Sequence, residues 1–150
     1  MSLFRLRAPM LARLRAALPP QVQVLTAVNL GALLYGTQVA PAVYLIYQGG
    51  TVPETRHDGL AARIAQTWLA VACARNPSAS QSGAPAQDDA GVIAEQVLDA
   101  LAGWQPEGAS KVLVPAAFPY GGDNPEATVQ LVPVALAAEF TYRAPALRGS

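Results

Sequence analysis

The sequence predicts an α+β fold: a mostly antiparallel sheet of four to five strands with two main helices on one face. Three observations predict it. Two blocks repeat apolar residues at helical spacing, one near the N-terminus and one after residue 88. Other blocks are rich in β-branched and aromatic residues and are bounded by proline and glycine, which marks strands. The block order is helix, strands, helix, strand hairpin. That order suits helices gathered on one face, not the regular alternation of a parallel α/β sheet.

The first helix is expected over 9–18. Pro9 suits a first helical turn, where its missing N–H has no partner to lose. Leu11, Leu14 and Leu18 make one apolar stripe with Met10 beside it, and Arg13 and Arg15 lie off it. Pro19-Pro20 cannot extend the helix. Residues 22–25 alternate as a short strand, and 26–34 read as a helical turn capped by Thr26. The run 42–47, Ala-Val-Tyr-Leu-Ile-Tyr, is the strongest strand, preceded by Pro41 and closed by Gly49-Gly50. It is apolar on both faces and is therefore expected inside the sheet.

Residues 63–75 make the second strong strand. Gln66 and Trp68 project to one face, and Thr67, Leu69, Val71 and Cys73 to the other. Between these strands, 54–59 collect charge and read as an exposed hairpin connection. Residues 76–87 carry few side chains able to pack and read as a mobile loop. Asp88 or Asp89 then caps the clearest helix, which ends near Ala102. Its stripe is Ile93, Val97, Leu101 and Trp104, widened by Leu98, and Gly103 is its stop. The last strands are 111–118 and 128–142, joined by a turn-rich loop. Pro133 inside the final strand calls for an edge position or a bulge. Residues 144–150 read as a tail. The whole chain, 1–150, is expected to be one domain.

Composition narrows the function. Hydrophobic residues make up 52% of the chain and charged residues 13%, so much of the exterior is weakly hydrated and easily dried against a partner. Ten basic and ten acidic residues give zero net charge, which argues against a dedicated nucleic-acid binder. Cys73 is the only cysteine, so no internal disulfide forms, and its apolar neighbours make it a buried packing residue. No charge occurs between Arg15 and Glu54, yet prolines, glycines and amides break every candidate membrane span. Arg13 and Arg15 interrupt any secretory signal, so the expectation is a protein made in the cytoplasm, with no membrane partner.

A search for chemistry returns little. No glycine pattern has phosphate-loop spacing. His57 is the only histidine, and its neighbour Asp58 has no nucleophile elbow to serve. Asp88-Asp89 reads as helix capping, and Trp68 and Trp104 as packing. No catalytic, cofactor or metal residue is assigned, and the chain reads as a non-enzymatic protein that assembles with itself and with other structural proteins. The candidate interface residues are Glu54, Arg56, His57 and Asp58 in the first loop and Tyr120, Asp123 and Glu126 in the second. Charges gathered on loops of a charge-poor chain usually serve recognition. Arg56 leads, because arginine binds a carboxylate with two hydrogen bonds.

The leading Leu-Ala-Arg-Leu-Arg-Ala-Ala-Leu-Pro helix is followed by Pro-Ala-Val-Tyr-Leu-Ile-Tyr-Gln-Gly and Gln-Thr-Trp-Leu-Ala-Val-Ala-Cys-Ala-Arg-Asn. A polar loop, Val-Leu-Asp-Ala-Leu-Ala-Gly-Trp-Gln-Pro and a final Phe-Thr-Tyr strand complete the pattern. This series resembles the small tail-completion proteins of Mu-like phages, related in fold to the tail terminators of long-tailed phages. The resemblance spans about residues 9–143. It implies a virion protein, six copies of which form a ring on the head-proximal end of the tail tube. Such a ring stops tube polymerisation and joins the head–tail connector protein, and genomic DNA passes through it without sequence-specific binding. The family has no catalytic residues to carry over. A neighbouring head–tail connector of the neck, and a dimeric α+β ligand-binding module, are the alternatives.

Overall fold

The computed structural model describes residues 2–35, 39–75, 84–119 and 129–148. Helix α1, Arg7–Ala17, starts two residues before Pro9 and buries Met10 and Leu14. It ends where Leu18 turns extended (φ −82°, ψ 154°), the conformation required before Pro19. Strand β1, Gln23–Thr26, and the short helix α2, Leu30–Tyr35, follow. Thr26 is not the cap of α2, because it belongs to β1. Asn29 takes that role, its side-chain oxygen accepting from the Ala32 N–H at 2.8 Å.

Strand β2, Ala42–Thr55, runs through Gly49-Gly50 instead of closing there. The ladder to β3, Ala61–Arg75, shifts register between Tyr47 and Gly49 and then resumes with Gly49 opposite Thr67. Gly49 takes φ +134°, and a Cβ on Gly50 would lie 2.8 Å from the Ala65 carbonyl oxygen. The two glycines thus admit a bulge and a close backbone approach, and the strand continues beyond them.

Helix α3, Ala84–Leu101, begins four residues before Asp88, so neither Asp88 nor Asp89 caps it. Pro85 sits in its first turn, a position proline favours. The predicted stripe holds: Ile93, Val97 and Leu101 are buried, with Leu98 and Trp104 packed against them. Gly103 ends the helix at φ +78°. The Gly103 N–H then donates to the Leu113 carbonyl and the Leu113 N–H to the Trp104 carbonyl, both at 2.9 Å. This pairing spends Leu113 on the helix exit, and strand β4 is only Val114–Ala117. Strand β5, Val129–Arg143, and a short helix α4, Pro145–Arg148, complete the described chain.

The sheet has the order β1-β2-β3-β5-β4, with β1 parallel to β2 and the other neighbours antiparallel. The expected interior place of β2 is observed. Strand β5 also lies inside, and its register with β3 passes Pro133 without a shift. Strand β4 reaches only Ala135 to Ala137 of β5, so Pro133 sits beyond it, at a local edge with no bulge.

Alternation along β3 divides the core in two. Trp68, Ala70, Ala72 and Ala74 face α1 and α3, the two long helices on one side. Leu69, Val71 and Cys73 face the other side, where Leu33 of α2 packs. Burial pushes the Cys73 thiol up to about 11, the nearby Arg75 charge opposing it only in part.

Candidate interaction surface

The β2–β3 hairpin becomes an exposed arm because its apolar alternation ends at Tyr47. Residues 51–59 are all exposed. The turn is built by its own polar groups: Gly59 N–H donates to the Arg56 carbonyl at 2.8 Å, and Leu60 N–H to the Asp58 carboxylate at 3.0 Å. Gly59 adopts φ +77°, which glycine tolerates without strain. Strand β5 follows β3 along the arm as far as Ala61 opposite Arg143, so the arm has a three-stranded base.

Charge on this arm is organised in two groups. Arg56 Nε lies 3.1 Å from Asp58 within the turn. Arg63 bridges Glu54 at 2.7 Å and Glu139 at 3.3 Å, and Lys111 reaches Glu139 at 3.3 Å. The Glu54–Arg63 pair follows from register, since these residues stand opposite each other in the ladder. A shallow cavity of about 360 Å³ runs between the groups, lined by Glu54, Thr55, Arg56, Ala61, Arg63 and Thr141.

Of the residues singled out from sequence, Glu54, Arg56, His57 and Asp58 come together at this tip. Tyr120, Asp123 and Glu126 lie outside the described residues. Arg56 is already paired, which the sequence reading did not foresee. An exposed pair of this kind contributes about 0–1 kcal/mol, so a partner's carboxylate can displace Asp58 at little cost. Arg63, Lys111 and Glu139 were missed. Folding the chain about Asp58-Gly59 would have set Arg63 opposite Glu54, but Glu139 enters through the β3–β5 register, which no local signal encodes.

Among the described residues no group of three or more His, Cys, Asp or Glu side chains is placed to hold a metal ion. No helix there is long and apolar enough to cross a membrane. The Cys73 thiol is fully buried and stays protonated near neutrality. What this surface offers is ion pairing and hydrogen bonding to another macromolecule's polar groups.

Fold and surface together define the class as a small α+β protein with a cluster of paired ionic groups on an exposed arm. The model of the phage tail terminator protein family matches residues 1–133. The chain belongs to that family, and it is accordingly a structural protein of the phage tail and a part of the virion. The matched span takes in α1, the arm and α3 and ends inside β5. A search of the curated proteins finds no match.

Proposed function

We propose that this protein terminates the tail as a non-catalytic ring. Six copies close on the head-proximal end of the tail tube, stop its polymerisation and present a surface to the head–tail connector. DNA passes through the ring without being read. What supports this reading, beside the family, is the charged arm: a chain with only 13% charged residues displays Glu54, Arg56, His57 and Asp58 at one exposed tip. Its three-stranded base gives the tip a fixed position, and fixed charges set register between partners.

The test reverses the tip. Arg56→Glu, alone and with Glu54→Arg, leaves the circular dichroism spectrum unchanged, because both side chains are exposed. Electron microscopy of lysates then shows overlong tails or tails without heads. Tails of normal length that fail to join heads would move the protein to the connector's role. Normal infectious particles from both variants would remove the arm from assembly altogether.

A further inference from the structure

Charge in this chain is segregated along the sequence. Residues 1–53 hold four arginines (Arg5, Arg7, Arg13 and Arg15) and no acid. Residues 76–110 hold five acids (Asp88, Asp89, Glu95, Asp99 and Glu107) and no base. The fold keeps the two blocks side by side in the helical layer. Helix α1 packs on β1, at one edge of the sheet, while α3 packs on β3 and β5.

Several charges of each block find no opposite charge among the described residues. Arg7, Arg13 and Arg15 form no ion pair with a described residue, and neither do Asp88, Glu95 and Asp99. The arginines are held by neutral groups instead. Arg13 donates to the Ala100 carbonyl at 2.9 Å and lies over the Trp104 ring. Arg15 donates to the Val24 carbonyl of β1 at 3.1 Å. Arg7 sits over Phe4 and Trp68, and its Nε is shielded from water without any acceptor. Beside Arg7 opens a groove of about 410 Å³ walled by Phe4, Thr26, Val28 and Tyr47, in which Val28 is 84% exposed. On α3, Asp88, Val92, Glu95 and Asp99 recur at spacings of four, three and four and share one face. Val92 is 59% exposed in the middle of that face.

We infer that the two faces are made for each other in different copies of this chain. The acidic face of α3 in one subunit seats against the α1–β1 edge of the next, with carboxylates on Arg7 and Arg15 and Val92 against the apolar wall at Val28. The contact joins two unlike patches, so it is head-to-tail, and repetition closes it into a ring. The inference rests on the ring reading above and names the contact that builds the ring. Its attraction is largely between exposed charges, so added salt weakens it.

Two full-length variants test it. Asp88→Lys with Glu95→Lys makes the acidic face basic. Arg15→Glu with Val28→Glu makes the basic edge acidic and spares the Arg7–Trp68 packing. All four positions are exposed, and circular dichroism and melting check each fold. Native mass and sedimentation are read in solution and on isolated tail tubes. Each variant alone is expected to lose at least tenfold in association. An equimolar mixture restores the ring, because the reversed face of one variant meets the reversed edge of the other, their unaltered patches meet at the alternate contacts, and the two variants alternate. Assembly of both single variants at wild-type strength overturns the inference and leaves the ring standing. Failure of the mixture where both singles fail also overturns it. Wild-type protein that never closes into a ring, free or on tubes, removes the ring reading itself.

Discussion

Gln66 is the one buried polar side chain on the helical face of β3, and replacing it by leucine tests how the N-terminal segment is held. Its amide nitrogen donates to the Leu3 carbonyl at 2.7 Å, and its oxygen accepts from the Trp68 indole N–H at 3.1 Å. Gln66 is 3% exposed and Trp68 fully buried. Leucine has nearly the same volume, so Gln66→Leu removes both bonds and opens no large cavity. The indole N–H is then left unpaired in the core, at a cost of about 1–3 kcal/mol. The Leu3 carbonyl belongs to an exposed residue and can turn to water, so its share is smaller. The total is about 2–3 kcal/mol. A chain of this size loses about 2–4 °C per kcal/mol, which puts the fall in melting temperature at about 4–12 °C.

A double-mutant cycle with Trp68→Phe isolates the pair. Phenylalanine needs no acceptor, so Gln66→Leu should cost about 1 kcal/mol less in that background. The assay is scanning calorimetry of the four proteins at one pH and salt. A melting temperature for Gln66→Leu within 1 °C of wild type would refute the account, and so would strictly additive losses. The same bond anchors the segment that places Phe4 and Arg7 over Tyr47 and Trp68. Gln66→Leu should therefore weaken ring assembly more than an equally destabilising change on the opposite face, such as Val71→Ala.

Burial raises both the Cys73 thiol, to about 11, and the Tyr44 hydroxyl above its ordinary value. The folded state holds these protons more tightly than the unfolded chain, so stability is full below about pH 9 and falls as pH rises toward 11. Cys73→Ser should cost about 1 kcal/mol near neutrality and leave assembly intact, and its deficit should shrink between pH 9 and 11. A deficit that stays constant through that range in calorimetric scans would contradict the assignment. Gly50→Ala drives a Cβ to 2.8 Å from the Ala65 carbonyl oxygen, and a loss of about 1–3 kcal/mol in chemical unfolding is expected. An unchanged unfolding midpoint would mean that the arm shifts freely at that point.

The sequence carried the elements whose signal is local. The stripe Ile93, Val97 and Leu101 defined α3, and the alternation of Trp68 against Leu69 and Val71 placed β3 between two buried faces, because periodicity reports burial directly. Boundaries were less legible where two local signals compete. Asp88-Asp89 is a good capping pair, yet Ala84-Pro85 starts the helix a turn earlier. Gly49-Gly50 is a good strand end, yet the partner strand's bonds carry the ladder across it. The brevity of β4 was not legible at all, since it depends on Leu113 bonding to the exit of α3. At the arm, the chain order of the charges marked the exposed tip, but the pairing of Arg63 and Lys111 with Glu139 depends on tertiary register.

The two charged surfaces differ in a way that assigns them different work under the proposals made here. On the arm, Glu54, Asp58 and Glu139 are matched by Arg56, Arg63 and Lys111, and each of these six charges has an intrachain partner within 3.3 Å. A matched set has little field beyond a few ångströms, so it cannot draw a partner from a distance. It can only exchange one hydrogen-bonded partner for another on contact, which rewards exact register and little else. The helical layer is the reverse case. Its opposite charges stand on separate helices, and Arg7, Arg15, Asp88 and Glu95 have no carboxylate or guanidinium partner among the described residues, so their fields extend outward until another copy meets them. Recruitment of copies therefore falls to the helices, and the fit of the finished ring to the tail falls to the arm. Charge reversal at the arm should then yield rings that form and fail on the tube, whereas reversal on α3 should yield no rings to test.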